Sequence, residues 1–86
     1  MEIDNKMTSE QIFKNLKLKE HTLYRVIAKS TKNNIEHYAF LFVGFKTGSY
    51  CEVYSNNYDQ PIPMSKMYSI KIDKKLSKIK TFKFKK

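Results

Sequence analysis

The sequence predicts a small α+β domain that is mostly β-sheet. The chain has 86 residues, the length of one domain. Its apolar residues make up 41% of the chain, which is enough for one core. Beyond residue 22, most of these residues alternate with polar ones or form short apolar runs, and both patterns are typical of strands.

A short helix is predicted near the N-terminus. Thr8 and Gln11 have the spacing of a capping box, which marks the first turn of a helix. Ile12, Phe13 and Leu16 then lie on one helical face. A helix of about ten residues is too short to be stable alone, so this apolar face must dock on the chain's own sheet or on a partner.

Three strands joined by short turns are predicted next. Residues 23–30 are rich in β-branched and aromatic side chains. Residues 36–45 are apolar on both faces, which is typical of a central strand covered on both sides, so Phe40 and Phe42 should be buried. Residues 49–55 alternate again and complete an antiparallel meander.

The last third is predicted to hold a loop and two more strands. Two prolines make residues 56–65 a loop. Residues 66–73 alternate cleanly and predict a fourth strand. A break should follow at residues 74–77, and residues 81–85 predict a short fifth strand.

These elements predict a strongly bent sheet, because closure removes the exposed edges of a small sheet. We expect a small SH3-like (or OB-like) antiparallel barrel of about five strands with a short N-terminal helix. The OB order places a helix between strands three and four, where this chain has a proline-containing loop, so SH3-like is favoured. An α+β sheet with the helix packed on one face is the alternative.

We expect residues 1–86 to form a single small domain, with a disordered N-terminus at residues 1–7 and a lysine-rich tail at residues 74–86. The sequence has no run of 18 apolar residues, so no membrane span is expected. Its polar start lacks the features of a signal peptide. A single cysteine, Cys51, excludes an internal disulfide. These features predict a cytoplasmic protein without a membrane partner.

The net charge of +9 lies almost entirely in the last third of the chain. Residues 61–86 carry nine lysines and one acid, whereas residues 1–60 carry eight basic and seven acidic side chains. A basic block on a folded domain predicts a surface that binds a polyanion. A solvated tail that only increases solubility is the alternative.

The sequence thus predicts a nucleic-acid-binding module, directed to single-stranded DNA or RNA with low sequence specificity. Small barrels stack bases on exposed aromatic rings while lysines follow the phosphates. Base-edge readout favours arginine, and Arg25 is the only arginine in the sequence. The predicted nucleic-acid-binding residues are Lys71, Lys74, Lys75, Lys78, Lys80, Lys83, Lys85, Tyr54 and Tyr58. The tyrosines assigned to the core are Tyr24, Tyr38 and Tyr68.

The alternative function is an accessory subunit or inhibitor that binds a larger nucleic-acid enzyme. Such an enzyme would be a polymerase, primase or helicase of DNA replication, or a nuclease, and the gene would belong to a phage or mobile element. In that case Ile12, Phe13 and Leu16 form the partner-binding surface, because short amphipathic helices are common docking elements. The basic charge argues against a DNA mimic, which must be acidic.

No catalytic motif is apparent, and we expect neither an enzyme nor a metal or cofactor. His21, His37 and Cys51 are separated by 16 and 14 residues, whereas zinc ligands come in close pairs. The acids form no evident catalytic pair. The two glycines do not make a phosphate-binding loop.

Overall fold

The computed structural model describes residues 1–3, 7–44 and 51–85. Its five described strands pair antiparallel in one sheet, and one short helix precedes them. The predicted small α+β, mostly β fold is confirmed. The elements are α1 (Ser9–Asn15), β1 (Thr22–Lys29), β2 (His37–Val43), β3 (Cys51–Tyr54), β4 (Ile62–Pro63), a 3₁₀ turn (Met64–Lys66) and β5 (Ser69–Lys78).

The sheet is open. The strand order is β4-β3-β2-β1-β5, so β4 and β5 are the two edges, and no pairing between them closes a barrel within the described residues. The SH3-like or OB-like closure is therefore not seen there. The described architecture matches the alternative, an α+β sheet with the helix packed on one face.

The first residues of the chain extend the β5 edge. Glu2 forms an antiparallel bridge with Ser69, and the backbone N–H of Ile3 donates to the Tyr68 carbonyl at 2.8 Å. Ile3 itself is buried in the core. Of the N-terminus that the sequence predicts as disordered, residues 4–6 lie outside the described residues.

Helix α1 begins with the predicted capping box. The Thr8 hydroxyl accepts from the Gln11 backbone N–H at 3.2 Å, and the Gln11 side chain accepts from the Thr8 N–H at 2.9 Å. Ile12 is fully buried, and Phe13 and Leu16 pack against the core. The apolar face of α1 thus docks on the chain's own core.

No described helix is long and apolar enough to cross a membrane.

The face of the sheet that α1 covers holds the core, and we call it the helix-side face. Burying one large aliphatic side chain there stabilises the fold by about 1.5–3 kcal/mol. Burial also raises the pKa of the Cys51 thiol to about 12, so this thiol stays protonated and behaves as a small apolar core residue. The fully buried side chains include Ile12, Val26, Leu41, Val53, Met64 and Ile70.

β2 is the central strand, as predicted, and both of its faces are covered toward its C-terminal end. Leu41 is fully buried on the helix-side face. Phe42 points to the opposite face, which we call the second face, and is only 5% exposed. Phe40 is half-buried on that face. The predicted residue 45 of this strand lies outside the described residues.

The predictions for the last third need three corrections. β5 runs without a break to Lys78, so the break at residues 74–77 is wrong. Two register shifts against β1 absorb the irregular pattern there, because each admits one extra residue into β5. Residues 81–85 form no strand. The predicted loop at residues 56–65 contains β4, where a proline is tolerated at the edge of a sheet.

Candidate nucleic-acid interface

Cross-strand register places cations and aromatic rings in rows on the second face of the sheet. Residues directly opposite each other on neighbouring strands share a face, with Cβ atoms about 4.5–5.5 Å apart. The members of one row, from β5 to β3, are Lys74, Arg25, Phe40 and Tyr54. The members of the neighbouring row are Lys71, Ile27 and Tyr38.

Residues 79–85, which we call the C-terminal segment, cover the first of these rows with aromatic rings. The Phe82 ring stacks on Phe42 with centroids 6.0 Å apart and meets Tyr54 edge to face at 5.0 Å. The Phe84 ring lies 6.0 Å from both Phe40 and Tyr54. Each aromatic pair contributes about 0.5–1.5 kcal/mol beyond its buried area. The segment is therefore anchored to the sheet rather than free in solvent.

This anchoring determines where the C-terminal lysines lie. Phe82 and Phe84 turn toward the sheet and are half-buried. The intervening Lys83 and the following Lys85 are exposed. The alternation predicted for residues 81–85 is thus real, although it reflects packing on a sheet face rather than pairing with a strand. The exposed lysines of the segment sit above the aromatic cluster.

Tyr38 lies beyond the cover of the C-terminal segment and is 63% exposed. Its assignment to the core is therefore wrong. The guanidinium carbon of Arg25 lies 5.1 Å from the centroid of the Tyr38 ring, a cation–π distance. The Arg25 Nε in turn donates to Asp73 Oδ2 at 2.6 Å, which holds the guanidinium in place. Within the described residues, the second face thus presents one open aromatic ring with a paired cation beside it.

A cleft of about 270 Å³ separates Tyr38 from the C-terminal segment. Its wall combines aromatic rings, one guanidinium and the carboxamides of the loop after β3. A cleft that combines flat rings with a few polar groups suits a planar ligand. Its lining residues include Arg25, Tyr38, Tyr54, Asn56, Asn57 and Phe84.

All seven lysines that the sequence assigns to nucleic-acid binding are exposed, but they do not share one face. Lys71 and Lys74 lie opposite Ile27 and Arg25 on the second face. By contrast, Lys75 and Lys78 pair with residues whose side chains are buried on the helix-side face, namely Tyr24 and Thr22. The lysines exposed on the C-terminal segment are Lys80, Lys83 and Lys85.

The two tyrosines assigned to base stacking are both engaged elsewhere. Tyr54 is half-buried against Phe82 and Phe84. The Tyr58 hydroxyl lies 2.8 Å from His37 Nε2. Burial raises the pKa of Tyr58, and a hydrogen bond from Ser30 partly offsets that rise. Among the described residues, the exposed ring on the sheet is Tyr38, a residue that the sequence pattern places in the core.

The sequence indicates on which face of the strand Tyr38 lies, but it does not indicate that the ring is exposed. Its two-residue spacing from Phe40 and Phe42 places the three rings on one face. The exposure of Tyr38 depends on how far the C-terminal segment extends across that face. No pattern around residue 38 carries this information.

Among the residues that the structure describes, no group of three or more His, Cys, Asp and Glu side chains is arranged to hold a metal ion. Comparison with protein-family models, with curated proteins and with solved structures finds no match to this chain.

Proposed function

We propose that the second face of the sheet binds single-stranded nucleic acid with low sequence specificity. The observation that carries this proposal is the exposed Tyr38 ring in a row with Lys71, beside the row that contains Lys74 and Arg25. Exposed aromatic rings on a sheet stack on bases, and neighbouring lysines follow the backbone of the strand.

In this proposal the phosphates contact Lys71 and Lys74 on one side and Lys83 and Lys85 on the other. Each neutralised phosphate releases condensed counterions, so affinity falls steeply as salt rises. One base stacks on Tyr38, a contact worth about 1–3 kcal/mol. Lysine ammonium groups are flexible point charges, so they distinguish poorly among base sequences.

Two described acids lie at this surface: Glu52, which is opposite Phe42 in the register and therefore on the second face, and Asp73 in β5. Of the two, Asp73 is paired with a cation. It accepts from Arg25 at 2.6 Å, and it occupies the β5 position at which the register against β1 shifts. This pair is partly exposed, so its contribution to stability is small. Its effect on the interface is to fix Arg25 over Tyr38 while weakening the repulsion that a bare carboxylate exerts on phosphate.

The burial of the helix favours this proposal over an accessory or inhibitor role. The alternative needs the apolar face of α1 to be available to a larger nucleic-acid enzyme. Ile12 is instead fully buried, and Phe13 and Leu16 pack against the same core. A partner would have to compete with the protein's own core for that face.

The proposal predicts that lysines of the second face determine the salt dependence of binding. The triple variant Lys71→Gln, Lys74→Gln, Lys83→Gln should reduce the slope of log affinity against log salt by about 2, because each lost contact to a single strand removes about 0.7. Fluorescence anisotropy of a labelled oligonucleotide over a series of KCl concentrations measures the slope.

The matched control removes the same charge from the helix side of the molecule. Lys14, Lys19 and Lys66 are exposed in or near α1 and the 3₁₀ turn. Replacing these three lysines with glutamine should leave the slope close to that of the wild type. Equal losses in both triple variants would show that net charge acts diffusely, and the second face would then not be the binding site.

A further inference from the structure

A pocket of about 640 Å³ opens at one end of the sheet, and the proposed interface does not use it. One wall is the turn between β1 and β2, and the other is the loop between β3 and β4. Its lining includes Asn33, Ile35, His37, Asn57, Tyr58 and Ile62.

A hydrogen-bonded pair of rings forms the inner part of the pocket. The Tyr58 hydroxyl lies 2.8 Å from His37 Nε2, and the two rings meet edge to face with centroids 5.4 Å apart. Tyr58 also packs against the core. Burial raises the pKa of Tyr58, so the phenol stays protonated at neutral pH and keeps its donor. The pair therefore presents ordered polar atoms on a supported surface.

Carboxamides approach from both walls. Asn33 lies in the turn and Asn57 in the opposite loop. The turn is held by Asn34, whose side-chain NH₂ donates to the Ser30 hydroxyl at 2.7 Å. A carboxamide presents a donor and an acceptor side by side, which complements the edge of a nucleobase.

The pocket also offers apolar contact to a flat ring. Ile35 is 87% exposed, an unusual environment for a large apolar side chain in a small domain. Ile62 contributes a half-buried side chain to the lining. A planar ligand that enters the pocket covers apolar surface on Ile35 while its edge meets the carboxamides.

The charge of the pocket selects against a phosphate. Its described lining contains no lysine or arginine, and it includes Glu36. The lysines of the proposed interface lie on the second face and on the C-terminal segment instead. Asn57 connects the two regions, because it lines both this pocket and the cleft that contains Tyr38 and Arg25.

We infer that this pocket receives one nucleobase of the strand whose phosphates lie on the second face. The inference rests on the proposed function and gives it a site at which base edges are read. Stacking on Tyr38 accepts any base, whereas the pocket hydrogen-bonds the edge of a single base. Affinity then comes mainly from the lysines and the stack, and a preference for one base comes from the pocket.

Free nucleosides test the pocket independently of the lysines, because they carry no phosphate. Adenosine, guanosine, cytidine and uridine are titrated separately into ¹⁵N-labelled protein, and amide chemical shifts are followed by NMR. At least one nucleoside should shift the backbone amides of residues 33–37 and 57–58 in a saturable manner. Asn57→Ala should weaken that binding about fivefold, the effect of losing one hydrogen bond. Asn15→Ala, the same change on the exposed surface of α1, should leave the binding unchanged.

The outcomes separate the pocket from the proposed function. If no nucleoside shifts the pocket amides while an oligonucleotide still binds through the second-face lysines, the nucleobase pocket is wrong and the proposed function stands. If nucleosides bind in the pocket but oligonucleotides do not bind at any salt concentration, the pocket binds free nucleobases, and both the proposed function and the link between the pocket and a bound strand are wrong. A well-folded Asn57→Ala variant that binds nucleosides like the wild type would also overturn the pocket.

Discussion

Replacing Phe42 with alanine is expected to lower the free energy of unfolding by about 3–5 kcal/mol. Phe42 is 5% exposed in the central strand, and its ring stacks on Phe82 with centroids 6.0 Å apart. The substitution leaves a cavity and also removes an anchor of the C-terminal segment. Small domains have total stabilities of about 5–15 kcal/mol, so much of the fold's stability is lost. Urea denaturation followed by circular dichroism measures the change.

Tyr38→Ala provides the control for stability, since Tyr38 lies on the same face of the same strand. It is 63% exposed, so its truncation should change the free energy of unfolding by no more than about 0.5 kcal/mol. If Phe42→Ala unfolds at the same urea concentration as the wild type, the C-terminal segment does not cover the second face.

The same Tyr38→Ala variant is expected to weaken single-strand binding by about 1–3 kcal/mol, which is about 5- to 150-fold in affinity. For the part of the chain that the structure describes, the Tyr38 ring is the open aromatic surface on the second face, and Arg25 lies beside it. Removing the ring removes the base stack and leaves the lysines intact. Fluorescence anisotropy at low salt, with the oligonucleotide used for the salt series, measures the loss.

Tyr38→Phe separates the ring from its hydroxyl. Phenylalanine keeps the aromatic face, so this variant should bind nearly as well as the wild type. An affinity for Tyr38→Ala equal to that of the wild type would remove Tyr38 from the interface. An equal loss in the Phe and Ala variants would show that the hydroxyl, rather than the stacked ring, makes the contact.

The parts of the fold that follow from local patterns were predictable. The spacing of Thr8 and Gln11 predicts the start of α1, and the capping box that it implies is present. The β-branched and aromatic side chains of residues 23–30 and the two-sided apolar run of residues 36–45 place β1 and β2 within one or two residues. These patterns suffice because each reflects contacts that the segment itself makes with the core.

The C-terminal part could not be predicted in the same way. Phe82 and Phe84 alternate with lysines as they would in a strand, and that pattern shows only that one side of the segment is buried. The pattern does not show whether the segment pairs with the edge of a strand or packs on the face of a sheet. Asp73 likewise gives no local sign of the register shift that carries β5 beyond the predicted break.

The candidate site also has features that follow from the sequence and features that depend on how distant parts of the chain pack. The exposure of the lysines follows from composition, because charged side chains are seldom buried. The separation of Lys74 from Lys75 onto opposite faces depends on pairing with β1. The exposure of Tyr38 depends on a segment more than forty residues away in the sequence. No local sequence pattern around Tyr38, Lys74 or Lys75 predicts either arrangement.

Photocrosslinking tests most directly whether the second face binds single strands. A short oligonucleotide that carries 5-iodouracil at successive positions is irradiated with the protein at low salt, and the crosslinked residues are identified by mass spectrometry. Crosslinks should concentrate on Tyr38 and on the C-terminal segment, and excess unlabelled single strand should suppress them. Crosslinks confined to α1 and the helix side of the molecule would contradict the proposed interface.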